Sequence, residues 1–567
     1  MKKIISIITL AGLIFIVSCV SEDRMMRTNT SGTSVSAEQL GPDFNFGSRF
    51  INIVRDIGLT NASSAAQYFE DWGYDNFLSY TGCPFDEEAG RDFMSFYMVE
   101  DWNRRPWEYW YDNVMSPAHA NQKIAAANEI PLFVAWAELL KVFAVSKLTL
   151  YYGPVIFSEY GTQDTKQFDY DTEKYLYEQI FEKLDWIQND FQTALNAKST
   201  QMNKFDNIYK GDLAKWLKFI NTFRVQLAMR VVKADKGMAE REYNKAMSYA
   251  GTIGFILTNA DNFNSPLNGS QYPLWQMSES WDDCRMGAEM EIVGVGLKDP
   301  RIKVWFDEVA DKSETSLKDL GIYDREPGWR FKGIARGGWI RNGKSERTPY
   351  SKVSTYFRNS TSTHGTYRRI LTAAQVQFLF AEATLRGWAT PGNKTTQQWY
   401  EDGIRLSWAD WGAATIDGRT VEVYINDDTS MPLEEYIDPR DETNSYKSRM
   451  TNKAIYAVKW DEASLTTNEM KLEKIMYQKW LASFQHGSEM WADRRRTGYP
   501  LIAYPAKNTS DAVWGRIPDG EELKRYVFVV QERTSNAAGV EEATKKLGGP
   551  NLISTRLWIH PAGSSNF

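Results

Sequence analysis

The sequence predicts a mainly α fold: a degenerate, tetratricopeptide-type array of helices with long irregular loops and a few short strands. Three observations predict it. Apolar residues recur at three- and four-residue spacing over several long windows, as expected for helices with one buried face. One window, 372–387, alternates small and large residues along its stripe (Ala374, Phe378, Ala381, Leu385), which lets a neighbouring helix approach closely. Between the helical windows, residues 251–370, 411–467 and 500–567 are rich in Gly, Asn, Pro and Trp. They read as long loops with short strands, and loops of that length in a compact protein are usually functional.

The chain begins with an export signal. Lys2 and Lys3 precede an apolar run over residues 4–17, short of the ~20 residues that a membrane-spanning helix takes. The run ends in Ile16-Val17-Ser18-Cys19, a small residue directly before a cysteine, which resembles a bacterial lipobox. Residues 1–18 therefore read as a lipoprotein signal peptide and Cys19 as the lipidation site. Several buried acyl chains, at ~0.8 kcal/mol per CH₂, would anchor the protein firmly. Ser21-Glu22-Asp23 resembles the acidic surface-export signal of Bacteroidetes lipoproteins, and residues 19–45, rich in Ser, Thr, Asn and Gly, read as a lipidated flexible tether. No other long apolar run follows. Residues 46–567 contain no Pro/Gly-rich linker and read as a single domain.

Within that domain the first clear helix spans 130–147, with Leu132, Trp136, Leu139 and Phe143 on one face and Pro131 near its start, where a missing N–H costs little. A second spans 173–196, with Tyr177, Ile180, Leu184, Ile187, Phe191 and Leu195 in register and Asp171 as the expected N-cap. A third spans 211–232, carrying Leu213, Leu217, Ile220 and Leu227. After 372–387, further helices are expected at 395–409 and 468–485. No strict 34-residue period is present, so the array is degenerate.

Composition removes whole function classes. The 567 residues carry a net charge of −7, which excludes a general nucleic-acid binder, since that needs a basic footprint. With 43% apolar and 25% charged residues, the chain is folded rather than disordered. Aromatic residues make up 14%, a surplus that suggests flat stacking surfaces for a ligand. Cys19, Cys83 and Cys284 do not form a disulfide scaffold, and the sequence leaves open whether the last two pair. The phosphate-binding G-x-x-x-x-G-K-[ST], the zinc-binding H-E-x-x-H and the nucleophilic G-x-S-x-G are absent, and Gly294-Val295-Gly296 lacks the third glycine of a dinucleotide loop. His119, His364, His486 and His560 stand apart from metal-ligand spacing. Asp282-Asp283 and Asp427-Asp428 read as solvated acidic loops, and whether such loops bind calcium is left open. The expectation is a binding protein without catalytic residues, metal or cofactor.

Several segments in order resemble the SusD/RagB family of lipid-anchored nutrient-binding proteins. Trp110-Tyr111-Asp112-Asn113 with Ala120-Asn121 is similar to the family's W-x-x-x-Y…A-N helix. Leu150-Tyr151-Tyr152-Gly153-Pro154-Val155 resembles its YGDVP turn, with Pro154 in place of the Asp. Tyr209-Lys210-Gly211-Asp212, Trp216 and Asn221 to Arg230 are similar to its Y-x-G-D…W…N-S-L-x-L-R-L-A-x-R helix. Asp299-Pro300-Arg301 resembles its DPR turn, and Ala381-Glu382-Ala383 with Gly403-Ile404-Arg405 its AEA…G-I-R segment. The most specific match is Ile475 to Trp480 followed by Trp491-Ala492-Asp493-Arg494-Arg495-Arg496-Thr497-Gly498-Tyr499-Pro500. Gly548-Gly549-Pro550 and Thr555 to Trp558 fit the family's ending, whereas 511–525 lacks the PRRLPYP run of many members. Most of these motifs read as structural: Arg494, Arg495 and Arg496 as ion pairs and carbonyl caps, Glu382 as a paired core carboxylate.

The resemblance implies ligand binding in the variable loops, where three aromatic segments are the candidates. Trp102, Trp107, Tyr109 and Trp110 lie in 98–112; Tyr272, Trp275 and Trp281, beside Asp282, lie in 272–282; Tyr323, Trp329 and Trp339, with Arg330 and Arg336, lie in 323–339. A flat indole covers the apolar face of a sugar ring, and Asn, Gln, Asp or Arg beside it satisfies the hydroxyl rim. Trp107 and Trp110 read as packing. For Trp102, Trp281 and Trp329, each expected in a polar loop, stacking and packing both stay open. The candidate ligand-binding set is Trp102, Trp281, Trp329, Tyr272, Trp275, Trp339, Asp282 and Arg330.

The resemblance further implies an outer-membrane lipoprotein facing the cell exterior, which captures an oligosaccharide or polysaccharide and passes it to a SusC-type TonB-dependent transporter. The alternatives are a peptide ligand, as in the RagB branch, a surface glycoside hydrolase and a purely structural surface protein.

Overall fold

A computed structural model describes residues 45–567 apart from 84–92, 163–166, 268–270, 339–346, 359–365, 414–417 and 564. The signal peptide, Cys19, the tether up to residue 44 and Trp339 lie outside the described residues.

Helices dominate. They are α1 (Asn45–Asp56), α2 (Glu100–Glu108), α3 (Ser116–Ala127), α4 (Pro131–Tyr152), α5 (Glu173–Asn196), α6 (Leu213–Val231), α7 (Lys236–Ser248), α8 (Ala288–Gly296), α9 (Ala373–Leu385), α10 (Thr396–Trp411), α11 (Asn468–Ala482) and α12 (Gly487–Thr497), besides shorter ones. From α3 to α7 each helix packs on the next, and α9 packs on both α10 and α11. The strands form two-stranded antiparallel ladders: β1 (Thr81–Gly82) with β3 (Arg285–Met286), β2 (Phe263–Pro266) with β4 (Tyr367–Leu371), and β5 (Glu435–Tyr436) with β6 (Tyr446–Lys447). β2 pairs Phe263 with Leu371 and bulges before Asn264. No helix among the described residues is long and apolar enough to cross a membrane.

Local chemistry explains the helix ends. Thr372 and Gln375 form a reciprocal capping box at the start of α9, and Thr395 and Gln398 do the same for α10. Asp212 caps α6 by accepting from the Lys215 N–H. At α5 the cap is Thr172 rather than the expected Asp171. The Asp171 carboxylate instead accepts from the Phe157 and Ser158 amides, 3.1 and 2.7 Å away, and from the Ser158 hydroxyl, which ties down the chain leaving α4. α4 itself runs past residue 147 to Tyr152, because Leu148, Leu150, Tyr151 and Tyr152 are all buried and no polar face marks the end. Gly153, at φ 79°, stops it.

The small-residue stripe works as its spacing implies. A Cβ on Gly403 of α10 would stand 2.7 Å from the Phe378 ring of α9, so only glycine allows this approach.

Charged residues brace this core. Glu382 of α9, fully buried, accepts from Arg386 at 2.6 Å and from Arg496 of α12 at 2.6 and 2.8 Å. Burial alone would raise the Glu382 pKa, but the Arg496 and Arg386 guanidiniums outweigh it and hold it at about 2. Glu489 is held at about 2 in the same way by Arg230 and Lys147 against its own burial. Arg301 grips Asp299 at 2.6 Å, both without solvent exposure. Arg494 pairs with Glu522 at 2.9 Å, while Arg495 donates to the carbonyls of Lys524 and Leu150. The arginine run of α12 is thus a structural brace. Cys83 and Cys284 are buried thiols, not a disulfide.

Candidate functional site, a cleft beside Trp281

The site begins with an irregular turn. Pro273–Trp275 forms one helical turn that widens through Gln276–Ser280 and closes with the Trp281 amide donating to the Gln276 carbonyl at 3.1 Å. Asp282 follows at φ 64°, a left-handed conformation that Asp tolerates better than most residues. The chain then enters β3. The facing wall is laid down by a bridge between Phe306 and Val353, extended by Asp307 donating its amide to the Lys352 carbonyl at 3.0 Å.

Between these walls lies an open cleft of about 600 Å³. Trp275 and Trp281 line one side, Asp307 and Glu308 another, and Arg347, Tyr350 and Lys352 a third. Trp281 is half-buried, packed on the core yet open to the cleft. Thr348 also lines a second, polar cavity of about 280 Å³ with Asp311, Ser313, Asp319 and Arg440, so the two hollows adjoin.

The rim is a ring of opposite charges. Asp282 accepts from Arg285, lies 3.4 Å from Arg347 and 3.9 Å from Lys352. Burial raises its pKa, but these three cations pull it below the usual carboxylate value. Lys352 also reaches Glu279 at 3.2 Å. Glu308 accepts from Lys312 at 2.6 Å and from the Arg330 amide at 2.8 Å, which together overcome its burial and keep it ionised. Asp307 accepts from the Thr355 amide at 3.3 Å, and burial raises its pKa. Such an arrangement offers an indole face flanked by fixed donors and acceptors, the pattern that suits a polyhydroxylated ring. Among the described residues, no group of three or more His, Cys, Asp and Glu side chains is placed to hold a metal.

Of the residues singled out from sequence, Trp275, Trp281 and Asp282 come together here. The others do not. Trp102 is 6% exposed, because 98–112 is not a loop. Glu100–Glu108 is helix α2, and Trp102 lies on its buried face, 4.4 Å from the Trp72 ring and edge-on to Phe93 at 5.3 Å. Trp107 and Trp110 pack as expected, against Tyr152 and Phe143. Trp329, also 6% exposed, sits beneath the Lys303 ammonium 4.1 Å from its ring. Tyr272 is fully buried against Phe357 at 4.7 Å. Arg330 serves the cleft through its backbone only, its side chain donating to the Arg325 carbonyl at 3.2 Å. Glu279, Asp307, Glu308, Arg347, Tyr350 and Lys352 escaped the sequence reading. They come from three separate stretches, and no local spacing announces their meeting.

The chain is similar throughout to known proteins. A family model described as SusD-like, the SusD and RagB outer membrane lipoproteins, matches residues 27–560. A chitin-binding SusD homologue from Flavobacterium johnsoniae shares 31% identity, with a TM-score of 0.79 over 92% of this chain and 100% of that one. A SusD homologue from Bacteroides vulgatus shares 26% identity, with a TM-score of 0.78 over 92% of this chain and 98% of that one. One from Bacteroides uniformis also shares 26% identity, with a TM-score of 0.77 over 92% and 100%. No curated protein matches the chain in sequence. With the family model matching residues 27–560 and a 31% identical homologue superposing over 92% of it, the chain belongs to the SusD/RagB family of outer-membrane lipoproteins.

Proposed function

We propose that this protein is a surface glycan-binding lipoprotein, anchored through acylated Cys19, that captures oligosaccharides in the Trp281 cleft and delivers them to a SusC-type TonB-dependent transporter. The observation that carries the reading is the half-buried Trp281 indole in an open cleft of about 600 Å³, ringed by paired carboxylates and cations. The chitin-binding activity of a relative 31% identical supports a carbohydrate as the ligand, with β-linked N-acetylhexosamine oligomers the first to try. Acetamido groups would find donors in Arg347 and Lys352. The adjoining cavity past Thr348 gives a longer chain somewhere to continue.

The way the carboxylates are held supports binding without bond cleavage. Asp282, Glu279 and Glu308 are each tied to cations, which hold Asp282 and Glu308 below the usual carboxylate value. Burial raises the pKa of Asp307, and a hydrolase needs a second carboxyl in a matched role. Calorimetric titration with a glycan panel tests the reading. Saturable binding of at least one oligosaccharide, with no new reducing ends on long incubation, is the expected result. Peptide binding without glycan binding would assign the RagB-like role instead, and released reducing ends would make the protein a hydrolase.

A further inference from the structure

A second cavity, of about 220 Å³, lies under the C-terminal end of α12 and shares no lining residue with the Trp281 cleft. Its charge is unbalanced. Five cationic side chains line it against two carboxylates, Glu521 and Glu522. Both carboxylates are already taken: Glu522 binds Arg336 and Arg494 at 2.9 Å each, and Glu521 binds Lys524 at 2.6 Å with Arg556 3.7 Å away. Among the described residues, neither Arg449 nor Arg495 has a carboxylate within ion-pairing distance. Arg449 donates to the Ile502 carbonyl at 3.1 Å and lies over the exposed Tyr504 ring, while Arg495 stacks on Trp491 and spends its three nitrogens on the Trp491, Lys524 and Leu150 carbonyls.

The floor holds a second sign of a missing ligand. His560 is 4% exposed, and beyond the Ala492 backbone its ring nitrogens find no hydrogen-bond partner within the protein. Burial, Arg495, Arg496 and Arg230 together keep this imidazole neutral. A neutral imidazole presents one donor and one acceptor; the Ala492 carbonyl can take only the donor, and leaving the acceptor unmet in a buried place is costly. A bare carboxylate satisfies the arginines but offers no proton to the acceptor nitrogen. A molecule with both a carboxylate and hydroxyl groups satisfies both.

We propose that this cavity is a binding site for an acidic sugar unit, its carboxylate held by Arg449 and Arg556 and its hydroxyls by His560. Arginine forks suit a carboxylate better than lysine does, since two N–H groups meet two oxygens. Gly498 and Gly520, at φ 87° and 82°, border the opening, and nothing lies within 4 Å of where a Cβ would stand, so the mouth is left wide. A volume of about 220 Å³ suits one sugar residue rather than a chain.

The test titrates the full chain, purified in detergent, with glucuronate, glucose and inorganic sulfate. Glucuronate should saturate a single site, glucose should give no heat, and sulfate should bind more weakly. Arg449→Gln with Arg556→Gln should weaken glucuronate by about tenfold or more, the size of one charge-assisted hydrogen bond. Both side chains are exposed, so the melting temperature should hold, and Arg449→Gln alone should give part of the loss. Trp281→Ala should leave glucuronate binding intact, which separates this site from the cleft. Absence of saturable glucuronate binding, equal affinity for glucose or sulfate, or full affinity in the double variant would each overturn the proposal.

Discussion

Two aromatic segments of this protein look alike in sequence and end in opposite places. Residues 98–112 and 272–285 both mix tryptophan and tyrosine with charged residues. In the first, α2 and the wide turn after it direct Trp102, Trp107, Tyr109 and Trp110 into the core, and Asp101, Arg104, Arg105 and Glu108 pair with one another along the outer side. In the second, the helical turns last only from Pro273 to Ser280, and the left-handed Asp282 breaks the path so that Trp281 stays half-buried at a cleft. The difference shows that polar neighbours do not expose a ring. A helix can place the charges on one side and the rings on the other, whereas an interrupted turn cannot bury every ring it carries.

The largest effects belong to the frame that both segments rest on. Arg496→Ala would strip the fully buried Glu382 of its bidentate partner, leaving Arg386 as its remaining cation, and would unpair Asp493 as well, which should cost about 3–5 kcal/mol in urea unfolding. The same network sets an acid limit. Glu382, Glu489 and Glu522 are held at about 2 against an ordinary value of 4.5. Their lowered pKa values contribute stability that is fully present above pH 4.5 and is lost as the pH falls toward 2. Melts across that window should show the loss, and a flat profile would contradict the pairing. Trp102→Ala comes next. Removal of a ring packed on Trp72 and Phe93 should cost about 3–5 kcal/mol and leave the glycan affinity of the folded protein unchanged.

Trp281→Ala should do the reverse, with little change in melting temperature and an affinity loss of ~5-fold to ~150-fold, or about 1–3 kcal/mol by analogy with other stacking rings. Asp282→Asn should have the smallest effect. Asn accepts the left-handed backbone and keeps part of the hydrogen bonding, and partly exposed ion pairs contribute about 0–1 kcal/mol. A few-fold loss of affinity at low salt that fades at high salt would fit.

The fold was legible where one face of a helix is apolar and the other is wet. The stripe from Tyr177 to Leu195 marks α5 at Glu173–Asn196. Legibility failed where that contrast vanishes. α8, at Ala288–Gly296, is buried almost all round and lies inside a stretch read as loop. In α12 the arginines were legible as ion pairs and carbonyl caps, and only their partners, Glu522 and Glu382 among them, were not, since these lie far away in sequence. In α2 the internal Pro106 and the run of charges disguise a helix, which is why Trp102 read as a loop residue. The cleft was half legible. Trp275, Trp281 and Asp282 adjoin in sequence, but Asp307, Glu308, Arg347 and Lys352 join them through the Phe306–Val353 bridge and the Val353 amide donating to the Ser278 hydroxyl at 3.1 Å, non-local contacts without a sequence signature.

The most direct measurement is a parallel calorimetric titration of an N-acetylhexosamine oligosaccharide, or whichever glycan the panel selects, into the wild-type protein, Trp281→Ala and Trp102→Ala. The cleft account predicts lost affinity in Trp281→Ala with an unchanged melting temperature, and wild-type affinity in Trp102→Ala with a lowered one. Wild-type affinity in Trp281→Ala would place the glycan elsewhere on the molecule and contradict the account.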